Sequence, residues 1–137
     1  MELTTTQKRQ RLLTMIFGAI AIFFTGYPHV WSIYQPYVME QAGWSQTAAS
    51  MCFYLALSTF VFGNIIGGRL QDKYNPKIVV WIGGGIFAIG ILASAFLIVP
   101  SPLTMYVTYG VMQGFGQGLI YTVITSTVQK WLPGRTG

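Results

Sequence analysis

The stretch GGRLQDKYNPK, residues 67–77, places four charged side chains between two long stretches that have none. Residues 46–68 and residues 78–129 contain no Asp, Glu, Lys or Arg. Because a helix of about 20 residues crosses the hydrocarbon core of a bilayer, each flanking stretch is long enough to contain a membrane span. We therefore predict that residues 67–77 are a short polar connection between two membrane helices.

The composition indicates a chain surrounded by lipid. Hydrophobic residues make up 53% of the 137 residues and charged residues only 8%, whereas about a quarter of an ordinary soluble domain is charged. In a chain of this composition the net charge of +5 does not indicate binding to nucleic acid, and we expect no nucleic-acid partner. The sequence has one cysteine, Cys52, so it predicts no internal disulfide and no thiol metal site. We expect no cofactor and no metal.

Four long apolar runs predict an all-α integral membrane protein with four transmembrane helices, because lipid offers no partners for the backbone groups of irregular chain. These runs are residues 12–36, 46–70, 78–99 and 103–128. Residues 1–11 would form an amino-terminal tail, residues 12–128 the transmembrane region, and residues 129–137 the start of a truncated loop.

The basic residues all fall at one end of the four predicted spans. They precede the first span or follow the second and fourth spans, and they are Lys8, Arg9, Arg11, Arg69, Lys73, Lys77, Lys130 and Arg135. Short loops rich in Lys and Arg stay in the cytoplasm. We therefore expect a multi-pass plasma membrane protein whose amino-terminal tail and final loop are cytoplasmic.

Two of the spans have glycine at every fourth position. Gly63 and Gly67 form such a stripe in the second span, and Gly110, Gly114 and Gly118 form another in the fourth. A stripe of small residues lets helix backbones touch in lipid, where close packing replaces the hydrophobic drive. We expect both stripes to be packing faces.

The connection at residues 67–77 resembles the signature loop of the major facilitator superfamily. The residues that match the signature are Gly68, Leu70, Asp72, Lys73, Tyr74 and Lys77. Asn75 replaces the usual glycine, and asparagine also tolerates the left-handed backbone of a sharp turn. The resemblance implies that this loop helps to close a cytoplasmic gate. Its contacts would break and form again as the two halves of a transporter rock. The residues assigned to this gate are Gly68, Arg69, Asp72 and Lys73.

Two further segments are similar to oxalate/formate antiporter relatives. In residues 114–137, GFGQGLIYTVITSTVQKWLPGRTG, the matching residues are Gly114, Gly116, Gly118, Tyr121, Lys130, Trp131, Pro133, Arg135 and Gly137. In residues 25–38, TGYPHVWSIYQPYV, the aromatic cluster and the Trp-Ser pair agree. Many proton-coupled relatives have an arginine where this chain has Gly110, so direct proton coupling through that position is not expected.

The resemblance implies a secondary active transporter for small organic anions, of the oxalate/formate or monocarboxylate type, that works by alternating access. Such transporters have about twelve helices in two similar halves, and the substrate lies between the halves. The chain would be an amino-terminal fragment. Its expected partners are a small carboxylate substrate, the lipid bilayer and the missing carboxyl-terminal half, which would neutralise the substrate charge.

Candidate site residues follow from helical spacing in the first and fourth spans. Steps of four and three residues place Thr25, His29 and Ser32 on one helix face. A kink is predicted beside them because Pro28 removes a backbone donor, and interrupted helices often mark transporter sites. Gln113, Gln117 and Tyr121 form a polar row in the fourth span. The predicted substrate-binding residues are Thr25, His29, Trp31, Ser32, Gln117 and Tyr121.

Other interpretations stay open from sequence alone. His29, Gln113 and Gln117 could instead link neighbouring helices by hydrogen bonds. No phosphate-binding loop or catalytic pair predicts an enzyme. A small four-helix multidrug-type exporter would need an acidic residue within the membrane, and Glu2, Glu40 and Asp72 fall outside the spans. A membrane assembly subunit is the alternative without transport.

The predicted orientation can be tested by thiol labelling in a Cys52→Ala background. A cysteine at Gln41 should react with a membrane-impermeant maleimide added to intact cells. A cysteine at Asn75 should react only after the membrane is permeabilised, because it lies at the basic end of the spans. The reverse labelling pattern would show the opposite orientation.

Overall fold

The computed structural model describes residues 4–96 and 101–131, and in these residues the chain is helical and has no strand. This confirms the all-α class. The helices are α1 (Thr5–Thr25), α2 (Trp31–Ala42), α3 (Gln46–Lys73), α4 (Pro76–Phe96), α5 (Pro102–Met105) and α6 (Gly114–Trp131). A 3-10 helix, Tyr27–Val30, joins α1 to α2, and a π-helix, Tyr106–Gln113, joins α5 to α6. The predicted end of the third span and most of the final loop, residues 97–99 and 132–137, lie outside the described residues.

Three helical stretches are long and apolar enough to cross a membrane, and they are Thr5–Ala42, Gln46–Lys73 and Pro76–Phe96. The fourth predicted span is divided between α5, the π-helix and α6 and is not one of these three stretches within the described residues. The three pieces nonetheless follow one another without a break from Pro102 to Trp131. At about 1.5 Å per residue this helical stretch exceeds the thickness of a hydrocarbon core, about 30 Å.

The connection between α3 and α4 is shorter than predicted. Helix α3 continues to Lys73 and α4 begins at Pro76, so only Tyr74 and Asn75 join them. Asn75 does not adopt the left-handed backbone that asparagine tolerates, because no described residue other than glycine has a positive φ. Asn75 instead caps α4, since its side-chain oxygen accepts a hydrogen bond of 3.0 Å from the backbone N–H of Lys77.

Helix α6 is the centre of the fold and packs against α1, α3 and α4. The predicted glycine stripes meet there. A Cβ atom added to Gly63 would lie 3.1 Å from the Cα atom of Gly118, and one added to Gly118 would lie 2.8 Å from the backbone nitrogen of Asn64. A Cβ atom on Gly114 would collide with Ala56 and Thr59. The role of these stripes as packing faces is therefore confirmed.

The basic ends of three helices lie together. A cleft of about 650 Å³ is bordered by Thr14 of α1, by Lys77 of α4, and by Lys130 and Trp131 of α6. The start of α1, the start of α4 and the end of α6 thus share one end of the bundle, as the distribution of Lys and Arg predicts.

The glycine contacts give a test of stability. Gly118→Ala should lower the unfolding temperature clearly, because overpacking of a tight interface costs about 1–3 kcal/mol. Gly85→Ala is the matched control, since a Cβ atom there meets nothing within 4 Å, and it should leave the unfolding temperature unchanged or raise it slightly.

Cys52 can report unfolding in this test, because it is the only cysteine in the sequence and is 0% exposed. A thiol-reactive fluorophore should label it only as the protein unfolds on heating. Equal unfolding temperatures for the two variants would contradict the close approach of α3 and α6.

Candidate functional site

The first span is interrupted at the predicted position. Helix α1 ends at Thr25, and the 3-10 helix that follows contains Pro28, which cannot donate a backbone hydrogen bond. The carbonyl oxygen of Pro28 accepts a hydrogen bond of 2.7 Å from the hydroxyl group of Tyr109 in the π-helix. The α-helix is thus interrupted where the kink was predicted, and the interruption contacts the fourth span.

Thr25, His29 and Ser32 were predicted on one face of a regular helix, and the 3-10 helix changes that spacing. Thr25 is buried, and its hydroxyl group donates to the carbonyl oxygen of Ile22 at 3.1 Å. His29 and Ser32 are exposed. The His29 ring lies edge-on to Phe53 with the ring centres 6.4 Å apart. Of the three residues, only His29 and Ser32 offer polar atoms to a ligand in this structure.

Trp31 and Gln117 are buried. The Trp31 side chain is 2% exposed, and its indole N–H donates to the carbonyl oxygen of Ala49 at 2.9 Å. Its ring packs against Tyr109 with a centroid separation of 4.6 Å. In this arrangement Trp31 joins α2 to α3 and to the π-helix, so it would support a site rather than line it.

Gln113 is fully buried, at 0% exposure, where the π-helix meets α4. Its amide nitrogen donates to the hydroxyl oxygen of Ser94 at 3.2 Å, and the Ser94 hydroxyl lies 3.1 Å from that of Thr108. The amide oxygen of Gln113 has no hydrogen-bond partner among the described residues. Gln113 therefore links the π-helix to α4 through its amide nitrogen only.

Tyr121 is 40% exposed and packs edge-on to Phe60 of α3, with the ring centres 5.7 Å apart. Beside it, a groove of about 370 Å³ lies between α3 and α6. The residues that line this α3/α6 groove are Asn64, Ile65, Tyr121, Thr122, Thr125 and Ser126. Except for Ile65, each of them has a polar group. Of the predicted site residues, only Tyr121 borders this groove.

Polar contacts between α3 and α6 were missed by the sequence analysis. The hydroxyl group of Thr122 donates to the side-chain oxygen of Asn64 at 2.5 Å. Nearer the basic end, the amide nitrogen of Gln71 donates to the hydroxyl group of Ser126 at 2.9 Å. The signal was the sequence TVITST, residues 122–127, because four hydroxyl side chains in six residues are unusual in an apolar span.

The residues assigned to the gate lie in the last two turns of α3. Arg69, Asp72 and Lys73 are exposed. Asp72 forms no salt bridge with any residue in the described part of the chain, and the Lys73 ammonium lies 5.4 Å from the centre of the Tyr74 ring. Their side chains are therefore available to contacts from outside the four spans.

The predicted site residues do not share one enclosed pocket. His29 and Ser32 are on the surface near α2, Tyr121 borders the α3/α6 groove, and Thr25, Trp31 and Gln117 are buried. No cluster of three His, Cys, Asp or Glu side chains that could hold a metal occurs within residues 4–96 and 101–131. The arrangement offers neutral hydrogen-bond donors and aromatic surfaces rather than a charged or metal centre.

The sequence model of the Major Facilitator Superfamily matches residues 12–137. Because this match covers nearly all of the chain, the chain belongs to the Major Facilitator Superfamily. The resemblance to this family is thereby confirmed, and the chain is part of a multi-pass membrane protein. The gate role of Gly68, Arg69, Asp72 and Lys73 stays a prediction.

Individual relatives are distant. The chain is 26% identical over 113 residues to the oxalate:formate antiporter of Oxalobacter formigenes, across 82% of this chain and 26% of that protein. It is 28% identical over 136 residues to the fosmidomycin resistance protein of Escherichia coli strain K12, across 94% of this chain and 32% of that protein. It is 28% identical over 96 residues to monocarboxylate transporter 13 of Rattus norvegicus, across 69% of this chain and 22% of that protein. The chain spans about a third or less of the length of these curated relatives.

Proposed function

We propose that the chain is the amino-terminal part of a secondary active transporter that moves small organic anions across the plasma membrane by alternating access. The main support is the similarity to the oxalate:formate antiporter across 82% of this chain. The monocarboxylate transporter among the relatives supports the same class of substrate. The relatives are three or more times longer, which supports the view that further helices complete the substrate site.

The division of charge is consistent with such a site. The basic residues lie at the ends of the spans, whereas the exposed candidates within them, His29, Ser32 and Tyr121, carry neutral or weakly basic groups. We propose that these groups orient the carboxylate by hydrogen bonds, and that basic side chains in the remaining part of the transporter neutralise its charge. Removing a carboxylate from water is costly unless its charge is paired.

The broken first span suits alternating access. Helix α6 and its neighbours α3 and α4 are joined by close backbone contacts, so we propose that they move as one body. The 3-10 helix at Tyr27–Val30 lets the two parts of the first span change their relative angle beside His29. Small changes at such a break are absorbed by a few backbone dihedrals.

We propose that Asp72 belongs to the cytoplasmic gate, with the amino terminus of the chain on the same side. Its carboxylate is exposed at the end of α3 and can accept hydrogen bonds from the amino end of a facing helix, where the helix dipole favours an anion. Breaking this contact would open the cytoplasmic side, and forming it again would close that side.

The similarity to the fosmidomycin resistance protein makes drug export the second candidate. Reconstitution of the longer protein that contains this chain separates the two. We expect liposomes loaded with oxalate or formate to take up radiolabelled oxalate with saturable kinetics. The 137-residue chain alone should show no such uptake, because half of the site would be absent. Fosmidomycin transport without any carboxylate exchange would overturn the anion proposal.

The gate assignment predicts a specific loss of transport. In the longer protein, Asp72→Asn keeps the size of the side chain and removes its charge, so the exchange rate should fall at least tenfold while the amount in the membrane changes little. Glu40→Gln is the matched control, because Glu40 is also an exposed acid but lies at the other end of the spans, and it should exchange normally. Normal exchange by Asp72→Asn would remove Asp72 from the gate.

A further inference from the structure

The α3/α6 groove combines polar side chains with a position deep in the membrane. The second and fourth predicted spans end at residues 70 and 128, so Asn64 and Tyr121 lie six and seven residues inside them. At about 1.5 Å per residue, both lie roughly 9–10 Å inside a hydrocarbon core about 30 Å thick.

A polar groove at this depth is unsuited to lipid. Polar groups left without partners in an apolar surrounding cost several kcal/mol, by an order-of-magnitude estimate. The cleft between α1, α4 and α6 shows the contrast, because below its basic rim it is lined by apolar side chains such as Phe17, Ala21 and Val80. The α3/α6 groove is therefore expected to face a water-filled cavity or a polar ligand, which is where polar side chains occur in membrane transporters.

The groove also contains donors that the fold does not use. Neither the hydroxyl group of Tyr121 nor that of Thr125 forms a hydrogen bond with any residue in the described part of the chain. The amide nitrogen of Asn64 donates one hydrogen to the carbonyl oxygen of Phe60 at 2.9 Å, and an amide has a second hydrogen to donate. Its side-chain oxygen is fixed by Thr122, so the amide group is held in one orientation.

We propose that the α3/α6 groove is a subsite that binds a carboxylate group of the transported anion, with Thr125, Tyr121 and Asn64 as donors. This inference rests on the proposed function and adds Thr125 and Asn64 to the predicted site. An ionised carboxylate accepts hydrogen bonds on two oxygens, and bonds to an ionised acceptor are stronger than neutral ones. Three neutral donors suit a subsite that orients one end of an anion without holding it too tightly for release.

The test compares two threonines on α6 in the longer transporter. Thr125→Val removes a hydroxyl group from the groove and keeps the side-chain shape, so the KM for oxalate exchange should rise about tenfold, as expected for one hydrogen bond to a charged group. Thr127→Val is the matched control. The Thr127 hydroxyl donates to the carbonyl oxygen of Val123 at 2.7 Å and borders the opposite cleft, so its KM should not change.

Two further measurements separate binding from structure. Thr125→Ser restores the hydroxyl group and should restore the KM. The unfolding temperature of each variant should stay within a few degrees of that of the unmodified protein. If Thr125→Val lowers the unfolding temperature and leaves KM unchanged, the groove packs against another helix and the inference is wrong.

The remaining outcomes also decide the question. Equal KM values for Thr125→Val and the unmodified protein, with equal stability, would remove Thr125 from the site while leaving the proposed function intact. Absence of oxalate exchange by the unmodified protein would contradict the proposed function itself, and this inference with it. The exchange rate of the unmodified protein therefore tells which of the two has failed.

Discussion

Helices α3 and α6 touch through their backbones, and the arrangement of the other helices depends on that contact. Gly63, Gly114 and Gly118 leave no room for a Cβ atom, so the two helices approach more closely than larger residues would allow. In lipid, such closeness is a main source of attraction between helices, since the hydrophobic effect does not distinguish a lipid tail from a leucine. Helix α4 also approaches α6 closely through a glycine, Gly83, where an added Cβ atom would lie 2.9 Å from the Cβ atom of Leu119.

The same closeness determines where polar groups can go. Hydroxyl and amide side chains beside the glycine contacts can reach across to the other helix, as Thr122 and Asn64 do. Such bonds contribute only about 0.6 kcal/mol each on average in membrane proteins, so they align the helices more than they hold them. The hydroxyl groups of Tyr121 and Thr125 have no such partner among the described residues, and they border the α3/α6 groove beside Asn64 and Thr122.

Much of the fold could be predicted from the sequence because lipid restricts the possibilities. Apolar runs located the spans, the basic residues located their shared end, and Pro28 located the break. The boundaries near residues 67–77 could not be predicted, because a charged last turn of a helix and a charged loop have the same composition. The backbone of Asn75 could not be predicted for a related reason, since asparagine suits both a left-handed turn and a helix cap.

The candidate site was less predictable than the fold. Helical spacing assumed a regular helix through Thr25, His29 and Ser32, and the 3-10 turn breaks that rule. Trp31 matched a family pattern, but the pattern does not tell whether the ring faces a cavity or a neighbouring helix. Tyr121 was located by its motif, whereas Asn64 and Thr125 carry no motif and are grouped only by the packing of α3 on α6.

The connection between α3 and α4, only Tyr74 and Asn75 long, leaves almost no slack between the two helices. Asn75 stiffens it further by capping α4. A tilt of α3 is therefore expected to move the start of α4 with it, because the two connecting residues are too few to absorb the motion. Force applied at the end of α3, where Asp72 lies, would be felt along the whole of α4, so an event at the membrane surface could reach the far side of the bundle.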